Sequence, residues 1–272
     1  MSGASLIVVG TGIQWAGQTT LAARRAIEQA ERVLFAVADP WTVRWVRSLH
    51  PGAESLPYPQ DGRPRRQIYR EMVDYILAEL HRGLRVCAVF YGHPGVLTRA
   101  SHEAIQAARN AGLPAQMLPG VSALDCLYAD LGIDPGQAGC LIYETTDFLV
   151  RGRPFDAYTA LVLCQIGVIG NLGTYALATL ESRQLGLTVL TEVLGTCFPP
   201  EHEVVIYEAS THPLQPPRIE RVALGKLPGA TVSEISTLYV PPRAAAPARM
   251  EMLARLGLQG LSDPQGATRR SA

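Results

Sequence analysis

The sequence predicts an α/β protein of two lobes, on three observations. Short apolar runs of strand length alternate with helix-period segments over the first half of the chain. Those strand runs are stopped by turns rich in glycine, proline or aspartate, as in Gly10-Thr11-Gly12 and Gly92-His93-Pro94-Gly95. Past Pro119-Gly120 the strand-like runs become fewer and their connections longer, which marks a second unit. The division expected is a first lobe over 1–118, a second over 119–242 and a tail over 243–272.

In order along the chain, 6–9 reads as a short buried strand running into Gly10-Thr11-Gly12. Across 19–30, Leu21, Ala22, Ala23, Ile27 and Ala30 recur at helical spacing among Arg24, Arg25 and Glu28. A second strand at 33–37 stops at Asp39-Pro40, completing the strand–helix–strand unit of a parallel sheet. A Pro/Gly-rich loop covers 58–65, and a helix over about 67–82 closes at Gly83. The strand 86–90 delivers Tyr91-Gly92-His93-Pro94-Gly95, and a helix over 99–110 ends near Gly112. In the second lobe 161–165, 187–190, 203–207 and 232–235 read as strands. From Pro241 the composition turns to Pro and Ala, a short amphipathic piece covers 250–256, and the polar end after about 260 lacks the apolar residues of a core.

Composition narrows the function. With 24 basic and 24 acidic residues the formal net charge is zero, which argues against phosphate neutralisation and so against nucleic acid as the main partner. No apolar stretch approaches the length of a membrane span, and no basic stretch precedes the opening apolar run, so a cytoplasmic protein is expected. The five cysteines form no CxxC pair and the six histidines no HxxxH spacing, so free thiols and no metal site are expected.

Three turns stand where chemistry could sit. Gly10-Thr11-Gly12 lets backbone approach a ligand, but the sixth position of a dinucleotide fingerprint is Trp15 instead of glycine. Tyr91-Gly92-His93-Pro94-Gly95-Val96-Leu97 lies at the carboxyl end of a parallel strand, the edge where open α/β sheets bind ligands. Pro119-Gly120-Val121-Ser122-Ala123 opens a helix, with Ser122 placed as its cap.

Together these turns resemble the tetrapyrrole-methylase superfamily of S-adenosylmethionine enzymes. The longer run FYGHPGVL, MLPGVSALDCLYADLGIDP and GCLIYETTDFLVRGRP, followed by LCQIG and STLYVPP, is similar to the borosin α-N-methyltransferases over about residues 5–242. The resemblance implies a two-lobed tetrapyrrole-methylase-like fold with S-adenosyl-L-methionine in the cleft between lobes. The cofactor residues it implies are Tyr91, Gly92, His93, Pro94, Gly95, Val96, Leu97, Ser122, Ala123, Gln165, Tyr207, Ser236 and Thr237. It also implies a homodimer acting on backbone amides of a precursor peptide.

The positions matching those that surround the amide acceptor are Arg65, Tyr69 and Tyr91. An amide nitrogen is weakly nucleophilic because its lone pair is delocalised, so its proton must leave and charge on the carbonyl oxygen must be stabilised. A phenol with an arginine beside it, favouring the phenolate, is the base expected. Where the family has two tyrosines upstream of the arginine, this loop carries one, Tyr58, displaced by a position. Founding fungal borosins also carry their substrate as a C-terminal extension. Only about thirty residues follow STLYVPP here, so a separate precursor peptide bound in trans is expected. The alternatives are a small-molecule, tetrapyrrole-like acceptor and a catalytically silent peptide-binding homologue.

Overall fold

The computed structural model describes residues 3–37, 39–59, 63–171 and 179–258. The first lobe is a parallel sheet of β1 (Ser5–Gly10), β2 (Arg32–Ala36), β3 (Glu54–Ser55), β4 (Arg85–Phe90) and β5 (Ala115–Met117), in the order β3-β2-β4-β1-β5. Every pairing in it is parallel. The crossovers are α1 (Leu21–Gln29), α2 (Pro40–Leu49), α3 (Arg65–His81) and α4 (Arg99–Asn110).

Strand side chains alternate between the two faces of a sheet, and here both faces are covered. Leu6, Val8 and Leu34 pack with Ile68, Met72, Ile76 and Ala104 of α3 and α4. Val9, Val33 and Phe35 pack on the other face against Ala23, Ile27 and Val46 of α1 and α2. Helix starts follow their caps: Thr20 accepts from the Ala23 amide and Asp39 from the Thr42 amide. The sequence reading missed α2, whose only entry signal was Asp39-Pro40.

The second lobe opens with α5 (Ala123–Leu131), capped by a reciprocal Ser122–Asp125 box. After α6 (Pro135–Ala138) come β6 (Cys140–Glu144), α7 (Thr145–Arg151), β7 (Ala160–Cys164), α8 (Leu180–Leu194), β8 (Glu203–Glu208), β9 (Arg218–Ala223) and β10 (Thr237–Val240). The sheet order is β6-β7-β10-β8-β9, with β6 and β7 parallel and the other pairs antiparallel. A last short helix, α9 (Met250–Arg255), follows, and the polar end of the expected tail lies outside the described residues.

Two expected strands are corrected. Residues 187–190 lie inside α8, where buried Leu187, Leu190 and Leu194 recur at helical spacing and Thr179 caps the start. A four-residue apolar run carries too little length to separate the two periodicities. Residues 232–235 form a turn, and the strand begins at Thr237. The lobes are joined by a shared core in which Ile13 from the loop after β1 packs with Cys126, Leu127, Val162, Val205, Tyr207 and Tyr239. Cys87, Cys126, Cys140, Cys164 and Cys197 are free thiols. Among the described residues no helix is long and apolar enough to cross a membrane.

Candidate functional site

β1 and β4 lie side by side and end at the same edge, so the loops that follow them meet. The Gly92 amide donates to the Gly12 carbonyl at 3.0 Å, and the Gly12 amide returns a bond at 3.3 Å. At Gly10 a Cβ would stand 2.0 Å from the Gly92 carbonyl oxygen, so only glycine fits. The following turn is held from several sides. His93 Nδ1 accepts from the Gly95 amide at 2.9 Å, and Thr98 Oγ1 donates to the Val96 carbonyl at 3.0 Å. Ser101 Oγ donates to the carbonyls of Pro94 and Thr98, and His102 Nε2 donates to that of Gly95. This frame fixes Leu97 at φ 53°, a left-handed conformation that costs an L-residue about 1–2 kcal/mol.

Two cavities open on this edge. The first, of about 280 Å³, lies between the lobes. Of the residues expected around a cofactor, Tyr91, Gly92, His93, Val96, Leu97, Ser122, Ala123, Gln165 and Thr237 line it. Gln165 follows β7 directly and takes up another left-handed conformation, φ 64°. Four expected residues stand back from the lining. Pro94 and Gly95 lie within the turn, Pro94 packing close to Gly10. Tyr207 is buried and its hydroxyl donates to Asp130 at 2.7 Å. Ser236 is fully buried and its hydroxyl donates to Glu208.

The lining also takes in Ile13, Thr98, Leu124, Cys164, Ala209, Glu234 and Ile235, which the sequence reading passed over. Four of these directly adjoin expected residues, so widening each motif by one position would have found Thr98, Leu124, Cys164 and Ile235. Glu234 lies two positions from Ser236 and carried no such signal, because 232–235 was read as strand.

The second cavity, of about 300 Å³, lies under the first lobe's edge. Ala36, Val37, Leu56, Met72 and Phe90 make its apolar wall, with Tyr58, Tyr69 and Arg99 beside them. Tyr91, Leu97 and Thr98 line both cavities. The Tyr58 and Tyr69 rings stack at 6.5 Å between centroids, and their hydroxyls share a hydrogen bond. Burial, reinforced by Tyr58, pushes the Tyr69 phenol up to about 12, while Arg65 and Arg99 pull weakly the other way. Burial likewise pushes Tyr91 up to about 12, with smaller contributions from Cys126 and Asp39. Arg65 does favour the Tyr69 phenolate, as expected, but desolvation outweighs it, and the net shift of both phenols is upward. Arg65 opens α3 one turn before Tyr69 and acts on it electrostatically, but it does not line the cavity.

Comparison with known proteins places this geometry. The family model of the tetrapyrrole (corrin/porphyrin) methylases matches residues 5–218. The chain belongs to the tetrapyrrole methylase family. Its curated relatives include the methyltransferase/ribosomally synthesized cyclic peptide dendrothelin A precursor of Dendrothele bispora, 41% identical over 245 residues, 88% of this chain and 58% of that protein. The corresponding omphalotin A precursor of Omphalotus olearius is 39% identical over 259 residues, 93% of this chain and 61% of that protein. The type I borosin cyclic peptide precursor of Coprinopsis marcescibilis is 38% identical over 268 residues, 95% of this chain and 68% of that protein. The chain thus spans about three-fifths of the length of the first two relatives.

Among solved structures, uroporphyrin-III-C-methyltransferase from Thermus thermophilus superposes with a TM-score of 0.61 at 23% identity, covering 97% of this chain and 99% of that one. A structure of the enzyme from the same organism complexed with S-adenyl homocysteine superposes at 0.58 and 19% identity, covering 87% and 91%. These likenesses carry the tetrapyrrole methylase fold.

The family is one of S-adenosylmethionine-dependent methyltransferases, and the interlobe cavity fits that cofactor chemically. Its lining offers the hydroxyl of Thr237, the amide of Gln165 and one carboxylate, Glu234, beside apolar Ile13, Val96, Leu124 and Ile235. That mixture suits a molecule with a flat base, a diol and a charged amino-acid end. Backbone lies open to a ligand at Gly92, which lines the cavity at φ 69°.

Proposed function

We propose that this chain is an S-adenosylmethionine-dependent α-N-methyltransferase acting on backbone amides of a ribosomally made precursor peptide. The observation that carries the reading is the meeting of two cavities across Tyr91, Leu97 and Thr98, one suited to the cofactor and one flanked by a tyrosine pair and Arg99. The names of the relatives join a methyltransferase to a cyclic-peptide precursor, which supports a peptide acceptor. A homodimer, as the family resemblance implies, completes the reading, with the peptide supplied in trans in a cytoplasmic setting as the sequence leads one to expect.

When bound, the cofactor supplies a methyl group on a positively charged sulfur. The residues of this chain prepare the acceptor. The Tyr91 phenol, neutral at physiological pH, donates toward the amide carbonyl oxygen, where negative charge collects as the nitrogen becomes nucleophilic. Tyr69 takes the amide proton in its phenolate form, a minor fraction that grows with pH, and the hydrogen bond to half-exposed Tyr58 leads toward solvent. Arg65 and Arg99 offset part of the cost of that phenolate. Gln165, Glu234 and Thr237 of the interlobe cavity would hold the cofactor, whose methyl group would pass to that nitrogen. The apolar wall of Ala36, Val37, Leu56, Met72 and Phe90 keeps water from one side of the acceptor.

The test is incubation with S-adenosylmethionine and a synthetic apolar peptide, with methyl-sized additions located by tandem mass spectrometry. Additions on the peptide's backbone nitrogens are expected. Additions on this chain itself would replace the trans arrangement with a self-substrate. An unmodified peptide in the presence of bound cofactor would sink the peptide reading.

A further inference from the structure

One wall of the interlobe cavity is a turn, not a strand end. Glu234 and Ile235 line the cavity from the connection just before β10, and both are exposed, so little packs behind them. The turn is instead tied at its two ends. Ser233 and Ser236 exchange bonds, the Ser233 amide donating to Ser236 Oγ at 2.8 Å and the Ser236 amide to the Ser233 carbonyl at 3.1 Å. On one side the Ile166 amide donates to the Ser236 carbonyl at 3.0 Å. Gly167 lies so close that a Cβ there would stand 1.9 Å from the Ser233 oxygen.

On the other side is a single carboxylate. Glu208, the last residue of β8, accepts from Ser233 Oγ at 2.8 Å and from Ser236 Oγ, both through Oε1. The same oxygen accepts from Arg218, its cross-strand partner on β9, at 3.0 Å. Arg218 in turn donates to the Thr231 carbonyl at 2.6 Å, just upstream of the turn. Charge-assisted bonds of this kind are stronger than neutral ones, and a network of them fixes a geometry that packing leaves loose.

We propose that Glu208 is a positioning residue for the cofactor: through Ser233 and Ser236 it clamps the turn that presents Glu234 and Ile235 to the interlobe cavity. The inference rests on the cofactor half of the proposed function and not on the peptide half. Glu208 itself does not line the cavity, so its effect passes through the turn.

The experiment is calorimetric titration with S-adenosylhomocysteine, together with the thermal midpoint of the unliganded protein. Glu208→Ala is expected to weaken binding about tenfold, the worth of one charged hydrogen-bonded group. Glu208→Gln is expected to weaken it less, since its amide oxygen still accepts from both serines. Ser236→Ala should fall between these, and Glu208→Ala with Ser236→Ala should be no worse than Glu208→Ala alone, because the two act as one device. Glu220→Gln, which alters another partner of Arg218, should bind as the unaltered protein does.

A Glu208→Ala protein with a lowered thermal midpoint but unchanged affinity would overturn the proposal, as would additive losses in the double variant. Should Glu208→Ala fail to fold, Glu208→Gln and Ser236→Ala decide on the same criterion. Absence of any binding by the unaltered protein would overturn the proposal and the cofactor reading together. Failure to methylate peptides, with this affinity series intact, would overturn the peptide reading alone.

Discussion

The two sheets build the same cleft by different means. In the parallel sheet of the first lobe β1, β2 and β4 all end at one edge, so topology alone brings their loops together. The wall there is backbone against backbone, with Gly10 and Gly12 against Gly92. In the mixed sheet β10 runs against β7 and β8, so the site receives the ends of two strands and the start of a third. The turn feeding β10 leans on the loop after β7, where Gly167 comes up against the Ser233 carbonyl, and is held in addition by side chains, Glu208, Ser233 and Ser236. Both edges thus need a small residue at the closest approach, and the mixed one needs polar partners besides.

The sharpest way to break this comparison is to crowd each wall at its closest approach. Gly10→Ala places a methyl 2.0 Å from the Gly92 oxygen, and Gly167→Ala places one 1.9 Å from the Ser233 oxygen. Each should cost about 3–5 kcal/mol, because backbone on both sides must shift. Chemical denaturation and S-adenosylhomocysteine affinity report it, and a wild-type midpoint in either variant would mean that its wall is not rigid. Next in size, Tyr69→Phe should lower the turnover rate by about 10²-fold with affinity for S-adenosylhomocysteine unchanged, because Tyr69 lines only the acceptor cavity. Equal losses in rate and in cofactor affinity would merge the two cavities into one functional unit.

A smaller effect separates strain from side chain at the wall the cavities share. Leu97→Ala keeps the left-handed strain and loses the side chain, whereas Leu97→Gly loses both. The glycine variant should therefore be the more stable of the two by about 1 kcal/mol in thermal melts. The reverse order would show that the conformation is not strained, and that the surrounding hydrogen bonds are not needed to hold it.

Much of the first lobe was legible because its physics is local. The helix expected at 99–110 is α4 residue for residue, since Gly112 and the apolar spacing of Ala100, Ala104, Ile105 and Ala108 mark its extent and its buried face. The turn at Tyr91 and the Ser122 cap were legible for the same reason, as glycine, proline and serine advertise backbone requirements. What escaped depended on partners far along the chain. Nothing near Ser236 says that its hydroxyl is taken by Glu208, 28 residues away, nor that Tyr207 turns to Asp130, 77 residues away. The ionisation of Tyr69 escaped for a related reason. A sequence shows that Arg65 is one turn away, but not that the ring is buried deeply enough for desolvation to outweigh it.

That desolvation gives an effect of similar size, seen only at high pH. Tyr69 and Tyr91 stand near 12 in the folded protein against 10.0 for an unperturbed phenol. Below about pH 10 both states keep these protons, so neither group makes stability depend on pH. Between about 10 and 12 the unfolded chain has released protons that the folded one retains, and stability falls as pH rises. Tyr69→Phe removes one of the two contributions, so its thermal midpoint should drop less than that of the unaltered protein between about pH 9 and pH 11. An equal drop in both proteins would mean that Tyr69 ionises in the fold as freely as in water. The acceptor cavity would then be as wet as the surface, and its separation from the cofactor cavity would not exclude solvent.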